Sequence, residues 1–175
     1  EGGEGKVPAQ YQYARVEMAK IALAKEQSDK AISWLEECLE YPYHLGEGKL
    51  YGAQENDFYY FLGCAYEQKG NHEKACECWE KATLGSQEPA AAIYYNDAKP
   101  EKIFYQGLAL QRLGCNEDAH SRFYKLVNYG KQHIFEKQTM DYFAVFLPDL
   151  QIWDGDLDVK NRTHCLFLLA LGYTG

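Results

Sequence analysis

Three aspartates two apart, Asp154, Asp156 and Asp158, are a natural place to look for chemistry in this chain. Alternating carboxylates of that kind open calcium loops, because a hard cation takes oxygen ligands at such spacing. A loop starting at Asp154 would need Gly at 159 and Glu at 165, and the chain has Val159 and Cys165. A turn with an N-cap to a following helix fits better. His164-Cys165 and Cys115 with His120 bring His and Cys close, without the four-ligand spacing of zinc. No metal and no cofactor are expected. Asn161-Arg-Thr163 is a glycosylation sequon without a secretory context. No group of residues supplies a nucleophile, base and oxyanion donor, and no Gly-rich loop follows a strand to hold phosphate. The chain is therefore expected not to be an enzyme.

The six cysteines, Cys38, Cys64, Cys76, Cys78, Cys115 and Cys165, form no CxxC pair. Cys76 and Cys78 would point to different faces of a helix. Small buried or half-buried thiols in a reducing compartment are the expectation, with cytoplasm as the default. The balance of 26 acidic against 18 basic residues gives a formal charge of -8, with no window concentrating Lys and Arg. Phosphate backbones and anionic membranes repel such a surface, so neither nucleic acid nor membrane is an expected partner. The longest apolar run, Cys165–Leu171, is about a third of the ~20 residues a membrane span needs. No basic, apolar leader opens the chain. Residues 1–8 read as a linker or chain edge, and the missing initiator Met suggests a piece of a larger protein.

The elements that must position these residues are helices, and they repeat. Tyr59-x2-Leu62-Gly63-x2-Tyr66 is followed by Ala75-x3-Trp79 and Ala82. A weaker copy runs Gly107, Leu110, Gly114, Ala119, Phe123, Leu126, and another runs Met18, Ala19, Ala22, Ala31, Leu35, Cys38. Ala31, Ala75 and Ala119 are 44 residues apart in each step. Small residues such as Gly63 and Ala75 let two antiparallel helices cross closely, while Leu62, Tyr66 and Trp79 fill the flanks. Gly70 and Gly114 stand where a first helix must stop, with Glu26 in the equivalent place of the first pair. Ser28, Asn71 and Asn116 lie at the following N-termini as capping oxygens. The spacing predicts helices at 9–25, 28–40, 56–69, 72–84, 100–113, 116–129, 131–146 and 159–172. The long loops at 42–50 and 87–97 carry Tyr, Leu and Ile and are expected to pack on the helices.

This pattern resembles the tetratricopeptide repeat, with Tyr for Trp and Trp for Phe at two signature positions. The fold class expected is all-α, a tetratricopeptide-like α-α solenoid over 9–175. Its repeats fall at about 9–42, 56–87 and 100–130, followed by an extra helical unit at 131–158 and a truncated repeat at 159–175. Leu45-Gly-Glu-Gly-Lys-Leu50, Glu55-Asn-Asp-Phe-Tyr-Tyr-Phe-Leu-Gly63, Asp141-Tyr-Phe-Ala-Val145 and Leu147-Pro-Asp-Leu150 resemble the C-terminal repeat region of large bacterial multidomain proteins with an uncharacterised domain upstream. That likeness brings no activity. The tetratricopeptide likeness implies a right-handed superhelix whose concave face binds peptide segments of partners.

Some such repeats clamp the two carboxylates of chaperone tails with Lys, Asn and Arg. The matching slots here are Val16, Lys20, Phe61, Glu101 and Tyr105, so that clamp is absent. The groove-facing positions are Tyr13, Val16, Lys20, Leu23, Asp57, Tyr60, Cys64, Glu67, Glu101, Phe104, Leu108 and Gln111. Aromatics with a few charges suit an apolar or mixed peptide. The function expected is protein–protein interaction or scaffolding; the alternative is an accessory part of a carbohydrate-processing or hydrolytic enzyme. Leu166, Leu169, Ala170 and Tyr173 match first-helix positions of a repeat lacking its second helix. One side of that helix is expected to pack on 131–146 and the other to self-associate, the natural chain continuing by at least one helix.

Overall fold

The computed structural model describes residues 6–46, 48–49, 53–91, 99–139 and 156–175, and among these every regular element is helical. The helices are α1 (Lys6–Ala24), α2 (Ser28–Leu39), α3 (Asn56–Gln68), α4 (His72–Ala82), α5 (Glu101–Arg112), α6 (Asn116–His133) and α7 (Leu157–Thr174), with one 3-10 turn at Tyr43–Leu45. Two compact units emerge, Glu1–Gly85 with Tyr105–Ala119, and Ser86–Phe104 with His120–Gly175.

In the first unit α1, α2 and α3 share a core of Val16, Ala19, Ala22, Ala31, Ile32, Leu35, Cys38, Phe58, Leu62 and Ala65, joined by Cys78 of α4. Alanines dominate where helices cross, because a side chain that ends at Cβ lets backbones approach. A second cluster of Ala75, Trp79, Ala82 and Ala109 continues it from α4 to α5. The turns behave as their residues require. Gly70 and Gly114 have φ of 76° and 78°, and Glu26 takes the same left-handed conformation at 56° without being glycine. Asn71 caps α4 by accepting from the Lys74 amide at 3.2 Å. Ser28 does not cap α2. The cap position is Gln27, which makes no side-chain capping bond, and the Ser28 hydroxyl instead donates to Gln68 Oε1 at 2.9 Å.

The second unit holds Ile103, Leu126 and Leu168, flanked by Phe104, Tyr129 and Leu171. Here the structure corrects the sequence reading. The break expected between helices 116–129 and 131–146, at Gly130, is absent: α6 runs through Gly130 to His133, and residues 134–139 are not helical. The glycine is a packing residue: a Cβ there would come within 2.8 Å of the Cys165 carbonyl and of Leu169 Cγ. Gly172 returns the favour on α7, close to Val127 and the Phe123 carbonyl. So α7 packs on α6, where a helix at 131–146 was expected to receive it. Residues 140–146 of that expected helix lie outside the described residues, as does Asp154. Asp156 caps α7, accepting from the Asp158 amide at 2.9 Å and the Val159 amide at 3.4 Å. In the 42–50 loop Tyr43 is fully exposed, contrary to the packing expected of it.

Candidate functional site

On α3, Asp57, Tyr60, Cys64 and Glu67 follow one another at three- and four-residue steps and so share a face, with Phe61 beside Tyr60 on it. The opposite side of the helix is fixed by Phe58, Leu62 and Ala65 in the core. Trp79 from α4 fastens this face from behind, its indole N–H donating to the Tyr60 carbonyl at 3.2 Å. Three rings meet in front. The centroids of Tyr60 and Phe61 are 5.3 Å apart, those of Tyr60 and Tyr105 5.6 Å, and those of Phe61 and Tyr105 5.5 Å. Tilted and edge-on contacts at these separations suit the ring quadrupoles.

Cations stand beside the rings. Lys20 Nζ of α1 lies 5.3 Å from the Phe61 centroid and pairs with Glu17 at 2.7 Å. The Arg112 guanidinium of α5 lies 5.8 Å from the Trp79 ring, and its interaction with the Tyr60 hydroxyl holds the Arg112 pKa above its ordinary value. Burial pushes the Tyr60 hydroxyl up, with Arg112 opposing. Burial likewise pushes the Cys64 thiol up, so it stays a neutral thiol near Arg112. The cluster is therefore an aromatic surface with fixed positive charge at its edge, suited to apolar or aromatic groups that carry an acid nearby.

The sequence-predicted positions are distributed unevenly around this cluster. Lys20, Tyr60 and Cys64 belong to it. Asp57 and Leu108 are half-buried and Gln111 exposed. Tyr13 is 62% exposed on α1. Val16 is a correction: at 5% exposure it is core, closed off by the packing of α1, α2 and α3, and presents nothing to a ligand. Leu23 is partly buried against the same core. Glu67 is turned to His72, its carboxylate 2.9 Å from Nδ1. Glu101 and Phe104 fall in the second unit, where Phe104 packs against Phe123 with centroids 5.8 Å apart. Phe61, Tyr105 and Arg112 were missed. The signal for two of them was present, since Phe61 and Tyr105 occupy clamp slots and were passed over because aromatics cannot clamp a carboxylate.

Residues 13–42 and residues 57–84 each match the Tetratricopeptide repeat family. The two matched segments are the hairpins of α1 with α2 and of α3 with α4, and among the described residues every regular element is helical. Such repeats generally mediate protein–protein interaction or scaffolding and are typically non-enzymatic. No solved structure matches the chain. Among the described residues no helix is long and apolar enough to cross a membrane.

Proposed function

We propose that the chain is a non-enzymatic interaction module whose Tyr60–Phe61–Tyr105 cluster receives a peptide segment, from a partner protein or from a neighbouring domain of its own parent chain. The observation that supports this most is the ring cluster itself, half-buried and flanked by Lys20 and Arg112. Rigid aromatic side chains with an arginine at the edge are the residues that dominate peptide and protein recognition, because they bury much area at little entropic cost. The segment that suits them presents an apolar or aromatic side chain with an acidic neighbour. No observation among the described residues favours the small-molecule alternative. Selection from a displayed random peptide library tests the proposal. Enrichment of apolar-acidic peptides that bind the wild-type chain supports it, and a library yielding no binder argues against it.

A second reading concerns α7. Val159, Leu166, Ala170 and Tyr173 form one exposed stripe, opposite the buried Asn161, Cys165 and Leu168. Leu166 is 52% and Tyr173 66% exposed. We infer that a second copy of the chain pairs with this stripe, since a row of apolar side chains on one helix face gains by leaving water. Leu169 is not part of it, because it packs beside Gly130.

A further inference from the structure

We propose that Cys76, backed by His72 and Glu67, is a reactive thiol that is modified by small disulfides through thiol–disulfide exchange. The three residues come together because the Lys69–Asn71 turn folds the end of α3 over the start of α4. Glu67 Oε2 stands 2.9 Å from His72 Nδ1, and His72 Nε2 stands 3.5 Å from Cys76 Sγ one turn along. A carboxylate on one ring nitrogen holds the proton there and turns the lone pair of the other nitrogen toward the thiol. That is the geometry of a base-assisted nucleophile oriented by a third group.

Access separates Cys76 from three of the other thiols, and Cys115 is the exposed competitor that the test must exclude. The His72 side chain is 72% exposed and Cys76 is half-buried, so a small reagent can reach the sulfur. Cys38, Cys78 and Cys165 are buried. Burial pushes the thiols of Cys64, Cys78 and Cys165 up. Cys115 is exposed, and its thiol donates to the Leu113 carbonyl at 4.0 Å. In the proposed step Nε2 takes the thiol proton as the Cys76 sulfur attacks one sulfur of the disulfide. The S–S bond breaks, and the departing sulfur leaves with the electron pair and takes the proton back from the imidazolium. The products are a mixed disulfide on Cys76 and one free small thiol, with no net change in oxidation state. The charged groups around the pair are Glu67 from α3, Arg112 from α5 within electrostatic reach of Glu67, and Glu73, Lys74, Glu77 and Glu80 along α4 itself. Glu36 of α2 lies near Cys78 on the other face.

The test reacts the full chain with dithiobis-nitrobenzoate and locates the first adduct by peptide mass mapping. The adduct is expected on Cys76, and Cys76→Ser removes the fastest phase. His72→Gln is expected to slow that phase about a hundredfold at neutral pH, the low end of what a positioned acid–base group contributes, and to change the pH profile of the phase. Glu67→Gln slows it less. A first adduct on another cysteine overturns the proposal, as does a His72→Gln chain whose rate and pH profile match the wild type.

Discussion

The Trp79 indole fills the place where a side chain on Gly63 would stand, with a Cβ at residue 63 coming within 2.8 Å of Trp79 Cε2 and closer still to other ring atoms. The glycine is thus held to its identity by the neighbouring ring, and the ring in turn supports the Tyr60 backbone through its N–H. Gly63→Ala is expected to destabilise by about 1–3 kcal/mol, the usual cost of overpacking. Glu67→Ala, at an exposed position, should change stability by no more than about 0.5 kcal/mol. Thermal melts of the two variants compare them directly.

Glu26 makes the opposite kind of prediction. It adopts φ of 56° where Gly70 and Gly114 serve in the later hairpins, and the left-handed conformation costs a non-glycine residue roughly 1–2 kcal/mol. Glu26→Gly is expected to stabilise by about 0.5–1 kcal/mol after the extra entropy glycine loses on folding. Urea unfolding midpoints read this out, and a midpoint that falls contradicts it.

Asn56 opens α3 and is buried, its amide donating to the Ala82 and Leu84 carbonyls at 2.7 Å each. It thereby satisfies the carbonyl of the last α4 residue, which has no partner within that helix, and that of Leu84 just beyond it, to which Gln106 also donates at 3.2 Å. Asn161 of α7 does the same for α6, donating to the His133 carbonyl at 2.8 Å and that of Glu136 at 3.3 Å. Asn56→Ala should cost about 1–3 kcal/mol, because the buried Ala82 carbonyl loses its donor. Asn56→Asp should cost more, since a carboxylate would face two carbonyl oxygens. Denaturant titration that ranks Asp above Ala in stability would contradict this.

These side chains show what the sequence could and could not reveal. Helix spacing was legible because apolar and small residues recur every three or four positions, and the stops at Gly70 and Gly114 announce themselves through a conformation few residues accept. Glu26 could be placed by analogy with them. Gly130 misled for a physical reason. A glycine that ends a helix and a glycine that lets another helix approach look alike until the partner, here α7, is known. Val16 misled similarly, because burial by α2 and α3 is a tertiary fact. The ring cluster was half legible. Tyr60 was found by its position on α3, whereas Tyr105 and Arg112 depend on how α5 packs beside it. The contact between His72 and Cys76 follows from helix spacing, but its significance comes from Glu67 across the turn.

Light scattering addresses the α7 stripe. Self-association that rises with concentration in the wild-type chain is expected to disappear in Leu166→Glu, whose side chain is exposed. Leu169→Glu should instead destabilise the fold, because Leu169 packs beside Gly130. A wild-type chain that stays monomeric at high concentration contradicts the pairing of two copies.

Peptide recognition is proposed to reside in the Tyr60–Phe61–Tyr105 cluster with its flanking cations. Isothermal titration of a library-selected peptide against the wild-type chain, Tyr105→Ala, Arg112→Ala and the exposed control Tyr124→Ala tests it most directly. Losses of about 2 kcal/mol or more for Tyr105→Ala and at least about 1 kcal/mol for Arg112→Ala are predicted, in the range of interface hot spots, with the control unchanged. Equal affinity for all four chains, each shown to be folded, would place recognition elsewhere on the chain.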